Sequence, residues 1–447
     1  MKTNKIRTSL LVLLIPVITS GQQAGDSVLS LRKCIQMCMT NNLSLKQAYL
    51  ETIKSRHQIQ EAKSEGLPQI SGLASFSDYF DIPVNMVSGD IVGQPGTMVP
   101  IRLGTKYNVI AGIQAGQMIY NASYFASVNL FRKGCEISDL SLEQQKEEMV
   151  FRIAQLYILV QTMNRQIILL DTNLSSFRKL YAYSQQHLRN GLICKAESDR
   201  ITVVINNTEA ERDDLVLKRN QQLNMLKYLA GIGQTRKIKL SDDMVDVGFS
   251  RIQIDTTFEN LTEMKIMKQK EKFAEINLRY MKAGSSPSLS GFAEYSFQAQ
   301  VEQMDEINKG SNWYTTSYIG IRLSVPVFEG NRIKGKINQS RVALEQSRLA
   351  QRDLQGSLVI QFENAMETLL NNQLTEFRLK TNLELAGNVV SITEDQYHQG
   401  IKTFTDVLNA RSEYNTSYLS WLNSKLQIDL SQLEIIKLNG TINSLLL

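Results

Sequence analysis

The sequence predicts an α+β membrane protein built from two internal repeats. Each repeat gives two membrane-crossing strands to a barrel shared between chains, and long coiled-coil helices stand against that barrel. Three observations predict this: where proline is absent, what recurs between the halves, and how apolar residues alternate. The 447 residues include only seven prolines, at 16, 68, 83, 95, 100, 287 and 326. Inside a helix proline removes a hydrogen bond and clashes with the preceding turn. Its absence from 101–286 and 327–447 therefore predicts helices of unusual length. A hydrophobic content of 43% with 21% charge is too apolar for a disordered chain. Past the N-terminus no run of apolar residues is long enough for a membrane-spanning helix.

The chain opens with a basic segment (Lys2, Lys5, Arg7), a short apolar core (Leu10 to Ile18) and the small residues Thr19-Ser20-Gly21. That is the plan of a signal peptide over 1–21, with cleavage after Gly21. Gln22 follows the cut where a lipid-anchored protein would need cysteine. Without the three basic residues, Lys+Arg falls from 49 to 46 against 44 Asp+Glu, a mature net charge of +2. Such a balance leaves no electrostatic footprint for nucleic acid. Export permits disulfides. Cys34 and Cys38, however, lie four apart in a helical pattern, where bridging would strain the helix. With Cys135 and Cys194 they are expected to be small buried apolar residues.

Internal repeats decide the fold. Leu67-Pro68-Gln69-Ile70-Ser71-Gly72-Leu73-Ala74 aligns with Ser286-Pro287-Ser288-Leu289-Ser290-Gly291-Phe292-Ala293 at an offset of 219. Gly112-Ile113 aligns with Gly320-Ile321 at 208, and Gly191-Leu192 with Gly400-Ile401 at 209. Repeat one thus covers about 29–233 and repeat two about 257–438. The drop in offset places eleven extra residues in the first repeat, within the Pro/Gly-rich stretch 81–104, which reads as a loop.

Strands are predicted at 67–80, 107–119, 287–299 and 313–325, each alternating with period two. Their apolar sets are Ile70, Gly72, Ala74, Phe76; Tyr107, Val109, Ala111, Ile113, Ala115; Leu289, Gly291, Ala293, Tyr295, Phe297; and Ile319, Ile321, Leu323, Val325. Tyr79, Phe80, Tyr107, Trp313 and Tyr314 gather near strand ends. Alternation with aromatic ends is the pattern of a transmembrane β-barrel. A soluble sheet with one wet face alternates identically; export and strand length favour the membrane. Four strands cannot close around water, and an open edge in lipid leaves backbone groups unpaired. Several chains must therefore pool their strands.

The remainder is helical. Two long helices are expected at about 123–189 and 331–398, each returning through a shorter helix at about 196–230 and 405–437. The first long helix carries a heptad seam of Val150, Ile153, Tyr157, Val160, Ile167 and Leu174. Beside it runs a second seam of Leu156, Leu159, Met163, Leu170, Phe177 and Leu180. Heptads supercoil, and two seams call for a neighbour on each side, as in a ring.

The repeated plan, the Pro-x-x-Ser-Gly strand openings, Leu29-Ser30-Leu31 with Asn41-Asn42-Leu43-Ser44-Leu45, and the segment Tyr397 to Ala410 together resemble the TolC-like outer membrane efflux proteins. The resemblance covers nearly all of the mature chain. It implies a homotrimer whose twelve pooled strands form one outer membrane barrel over a periplasmic helical tunnel. It also implies a periplasmic adaptor protein, an inner membrane transporter, and export of small molecules or proteins as the exit duct of a tripartite efflux or type I secretion system. In this family the hairpin tips close the periplasmic end. Matched by position, the aperture residues are Glu197, Tyr397, Lys402, Asp406 and Asn409, beside the tip turns Gly191 and Gly400. Lys402 stands where the founding type has an arginine, so it cannot form the bidentate fork. Asn409 stands where that type has a second aspartate, which leaves Asp406 to carry the acidic ring.

Nothing points to catalysis or to a cofactor. His57, His187 and His398 are scattered, and Gly231-Ile232-Gly233 lacks the third glycine of a dinucleotide fingerprint. The competing reading is a structural coiled-coil protein of the cell envelope without channel activity, which would not need the alternating strands.

Overall fold

The computed structural model describes residues 27–93, 95–191, 193–241 and 257–446, so the proposed signal peptide lies outside the described residues. Short polar side chains fix the first helices. Ser30 caps α1 (Leu31–Asn41), its hydroxyl accepting from Lys33 N at 3.3 Å. Asn42 caps α2 (Leu43–Ser64), accepting from Ser44 N at 2.9 Å and Leu45 N at 3.1 Å. An oxygen on the residue before a helix satisfies amide groups that have no partner within it. The Leu-Ser-Leu and Asn-Asn-Leu-Ser-Leu segments are thus helix starts.

Four strands form one antiparallel sheet in the order β2-β5-β7-β8. They are β2 (Gln69–Asp78), β5 (Tyr107–Asn121), β7 (Ser288–Val301) and β8 (Trp313–Ser324). The register brings the four apolar sets onto one face. Gly72 pairs with Ile113, Ile113 with Tyr295, and Tyr295 with Ser317. Two residues nearer the helices the row runs Ile70, Ala115, Ala293, Ile319. That face is bare in one chain: Ile319 is 87% and Ile321 71% exposed.

Segment 81–104 departs from the expected loop. Val84–Ser88 (β3) pairs antiparallel with Met98–Arg102 (β4), forming a small two-stranded ribbon. Val84, Val87, Val99 and Ile101 are β-branched, which favours a pleated ribbon despite the flanking Pro and Gly.

Helix α3 (Ala122–Arg189) has 68 residues and α6 (Arg332–His398) has 67, roughly 100 Å each. Asn121 caps α3 immediately after β5, so strand passes to helix with no linker. The shorter helices are α4 (Lys195–Ala230), α5 (Thr262–Ala283) and α7 (Phe404–Leu438). Helices α2 and α4 pack along α3, while α5 and α7 pack along both α3 and α6. The lateral order is therefore α2/α4, α3, α5/α7, α6, with every strand joining a helix at the same end of the sheet. The first heptad seam of α3 is buried throughout, and Leu170 and Phe177 of the second seam are buried with it. The α6 edge stays apolar yet uncovered, with Val342, Leu349, Ile360, Leu374 and Phe377 exposed.

A collar surrounds the middle of α3. β1 (Ser27–Leu29) pairs in parallel with β6 (Ile238–Leu240). Tyr157 donates its hydroxyl to Leu29 O at 2.9 Å, and Gln161 Nε2 donates to Ser241 O at 2.7 Å. Cys34, Ile35, Cys38 and Val150 form the core beneath it. Burial pushes the Cys34 thiol up to about 12 and the Cys38 thiol to about 11, so both remain thiols. Cys135 is buried as expected, but Cys194 is exposed, because it occupies the cap position of α4 at a hairpin tip.

The collar sets one demand on backbone. Gly231 ends α4 at φ +65°, and a Cβ there would lie 2.5 Å from Asn41 Cβ and 3.0 Å from the Asn41 carbonyl carbon. Gly231→Ala is expected to cost at least about 2 kcal/mol, from left-handed strain plus the clash with main chain. Thermal unfolding of the purified protein measures this. Gly233→Ala, with nothing within 4 Å of the new Cβ, should leave the midpoint unchanged.

Candidate functional site at the hairpin tips

Both long helices end in the same way. Gly191 turns at φ +72° and Gly400 at φ +74°, a conformation that glycine adopts without steric cost. Gly191 N donates to Leu188 O and Gly400 N to Tyr397 O, each at 3.0 Å. Ile401 N donates to Gln396 O at 2.9 Å, closing the second turn.

The chain restarts at α7 through a reciprocal cap. Thr403 Oγ1 accepts from Asp406 N at 3.3 Å. Asp406 Oδ2 accepts from Thr403 N and from Thr403 Oγ1, both at 2.8 Å. This capping box makes Asp406 part of the turn as well as a candidate charge. The Thr403 hydrogen bonds hold its carboxyl below the usual aspartate range, with a smaller contribution from Lys402. A depressed folded-state pKa means the cap is fully formed at neutral pH. It is lost only as pH falls through that lowered value.

An apolar cluster joins the two tips. Phe177 of α3, Ile201 of α4, and Phe404 and Leu408 of α7 are buried together, with Tyr397 of α6 packed against them. The Tyr397 ring stands edge-on to Phe404 at 6.0 Å. Burial raises the Tyr397 phenol pKa, and the Glu197 carboxylate adds to the rise. Two of the expected aperture residues, from different repeats, are therefore electrostatic neighbours. Arg200 Nη1 donates to Thr405 Oγ1 at 3.4 Å, a second polar link between the tips. Lys402 and Asn409 are exposed and take no part in the cluster.

Residue matching passed over Thr403, Arg200 and Thr405. It also passed over the ion pair of Arg411 with Glu394, which ties α7 to α6 above the tip. The Thr403 signal is present in the sequence, since Thr-x-x-Asp before an apolar run is a helix-start pattern. The links of Arg200 and Arg411 join segments brought together only by folding, so no local pattern marks them.

Among the described residues no group of His, Cys, Asp and Glu is placed to hold a metal ion. No described helix is long and apolar enough to cross a membrane. The family model of outer membrane efflux proteins matches residues 34–232 and 254–441. The chain is 20% identical to the outer membrane protein TolC of Escherichia coli (strain K12), over 97% of this chain and 87% of that one. Its fold matches the CmeC outer membrane channel of Campylobacter jejuni with a TM-score of 0.75 at 17% identity, covering 92% of this chain and 85% of that one. It matches the outer membrane protein VceC of Vibrio cholerae with a TM-score of 0.73 at 15% identity, covering 92% and 96%.

Proposed function

The chain belongs to the outer membrane efflux protein family, and on that premise we propose that three copies assemble into one channel-tunnel of the outer membrane. The observation that carries this reading is a four-stranded sheet with a bare apolar face and two open edges, β2 and β8. In lipid those edges must pair. Pairing β8 of one copy with β2 of the next satisfies both and yields twelve strands. The helices make the same demand, since the uncovered apolar edge of α6 is available to α2 and α4 of a neighbour. The protein sits in the outer membrane, and its helical part lies in the periplasm.

In this reading the tunnel is the exit duct of a tripartite efflux or type I secretion system. A periplasmic adaptor and an inner membrane transporter engage it, and the cargo is a small molecule or a protein. The mature chain begins at Gln22. The two repeats supply matching halves, so that Glu197, Tyr397, Lys402, Asp406 and Asn409 ring the periplasmic aperture at the turns of Gly191 and Gly400. A structural envelope rod accounts for the helices but leaves the bare apolar sheet face without a purpose.

The test is assembly and conduction. Detergent-solubilised protein is expected to have three times the chain mass and to conduct ions in a planar bilayer. A conducting monomer, or a trimer that never conducts, would overturn the reading.

A further inference from the structure

The faces of the sheet differ in polarity, and the polar one is tightly packed in places. On the polar face a Cβ at Gly112 would lie 2.6 Å from Ser296 Cβ and 2.6 Å from Tyr295 O. A Cβ at Gly320 would lie 2.6 Å from the Phe292 ring. On the apolar face the nearest atoms to new Cβ positions are 3.9 Å away at Gly72 and 3.6 Å away at Gly291. Gly116, also on the polar face, has nothing within 4 Å of a new Cβ, so the crowding is local. It is the apolar character of the other face that assigns that face to lipid and the polar face to the inside. In a closed barrel the polar face lines the lumen.

That face holds very little charge. Reading the pairing outward from Gly112 and Ser296, its members within the strands include Ser71, Gln114, Glu294, Tyr318 and Arg322. Of all polar-face residues in the four strands only Glu294 and Arg322 are ionic, since Asp78 falls on the apolar face at the loop end. Glu294 lies at mid-height of β7, opposite Gln114 on one side and Tyr318 on the other. Its carboxylate is held rather than free. Tyr318 donates its hydroxyl to Oε2, and Ser296 donates Oγ to Oε1 at 3.3 Å. Arg322 stands four residues nearer the helices than Tyr318, about 13 Å along the strand. Its guanidinium reaches back over the Phe292 ring at 5.1 Å, and that ring packs edge-on to Tyr318 at 6.0 Å. The cation thus stands one aromatic ring away from the Tyr318–Glu294 pair, and Glu294→Gln leaves Arg322 as the ionic group of this face.

We propose that Glu294 is a charge-selecting residue of the barrel lumen, a ring that attracts hydrated cations and is separate from the aperture at the hairpin tips. The proposal rests on the shared-barrel reading above, which turns one carboxylate into three around a single passage. A sparse ring suffices, because a carboxylate focused by low-dielectric walls raises the local cation concentration without neighbours. Tyr318 and Ser296 act as positioning residues that keep the carboxylate against the wall and leave the bore open. The helices alone separate Glu294 from Asp406 by about 100 Å. The two rings therefore act independently, and changes at both should combine multiplicatively.

Single-channel reversal potentials across a potassium chloride gradient test this on the full-length trimer. Glu294→Gln is expected to lower the cation-to-anion permeability ratio at least about threefold, and Glu294→Lys to carry it past unity toward anions. Tyr318→Phe should keep cation preference while adding current noise, because the carboxylate loses its tether. Glu294→Gln combined with Asp406→Asn should show the product of the two single effects. A conducting wild type whose permeability ratio is unmoved by both Glu294 variants would overturn this inference alone. A wild-type protein that forms no pore would overturn it together with the channel reading.

Discussion

Ile113→Arg is expected to abolish membrane insertion of the assembled protein, whereas Ser71→Arg on the opposite face is expected to be tolerated. Ile113 lies in the central row of the sheet, between Gly72 and Tyr295, and is 57% exposed on the apolar face. Arginine on the lipid face near the bilayer midplane costs about 2–4 kcal/mol per site. A trimer would incur that cost three times, in total roughly 6–12 kcal/mol, comparable to the whole stability of a typical domain. Ile321 is four residues from the central-row position Ser317. That is about 13 Å along the strand, near the edge of the apolar band, so Ile321→Arg should be milder. Ser290, on the polar face, is a poor control because it pairs directly with Arg322, and like charges directly opposite destabilise a sheet. Ser71 pairs with Gln114 and avoids that repulsion. Outer membrane fractionation and heat-modifiable mobility read the result. Equal tolerance of arginine at Ile113 and Ser71 would mean that the apolar face does not meet lipid.

Alternation constrains strand pairing for a physical reason. A strand shifted by one residue turns every side chain to the other face. Four runs that alternate over most of their length, despite Leu73, Ile110 and Phe292 on the polar face, therefore leave few registers, and Ile70, Ala115, Ala293 and Ile319 meet in one row. The long helices were legible for a similar reason. Proline exclusion and the Val150 to Leu174 seam both report on local geometry, and α3 ends at Arg189 where the glycine turn was expected. The ribbon β3–β4 was hidden because a Pro/Gly-rich stretch reads as loop, although its β-branched residues pair over five positions. Cys194 was misjudged because cysteine without a disulfide or metal pattern reads as a small buried residue, whereas position 194 caps α4 at a hairpin tip, away from the core.

At the tips, sequence pattern and tertiary chemistry separate. Gly191 and Gly400 are legible as the ends of the long helices, whereas Asp406 comes from its place in the family resemblance and its capping box with Thr403 is established only by the structure. The proximity of Glu197 to Tyr397, and of Arg200 to Thr405, depends on how two distant hairpins pack. No spacing within either hairpin encodes it. The apolar cluster of Phe177, Ile201, Phe404 and Leu408 fixes the tips within one chain. In the proposed trimer, a motion that widens the aperture would therefore slide chains past one another or tilt both tips together.

Tyr397→Phe combined with Lys402→Ser is accordingly expected to raise the conductance of the isolated trimer, with each change alone doing less. Lys402 is exposed and pulls electrostatically on Asp406, while the Tyr397 phenol is half-buried beside the Glu197 charge. Neither side chain is needed for the cluster itself, because the Tyr397→Phe ring can still pack on Phe404. Exposed polar links typically contribute below about 1 kcal/mol each. Repeated around the three tips of the proposed trimer, such weak links add to a bias that no single one supplies. A partner that opens the tips can spend only its differential affinity for the open state. Several weak links suit that limit better than one strong bond. Phe404→Ala separates gating from folding, because emptying the cluster should loosen the tips and lower thermal stability together. The double variant should open the channel with its stability intact. Asp406→Asn belongs to a different measurement, as it keeps an oxygen for the Thr403 cap while removing charge. It should lower cation preference and block by trivalent cations without opening the pore. Unchanged conductance in Tyr397→Phe with Lys402→Ser, together with unchanged selectivity in Asp406→Asn, would place the constriction elsewhere along the tunnel.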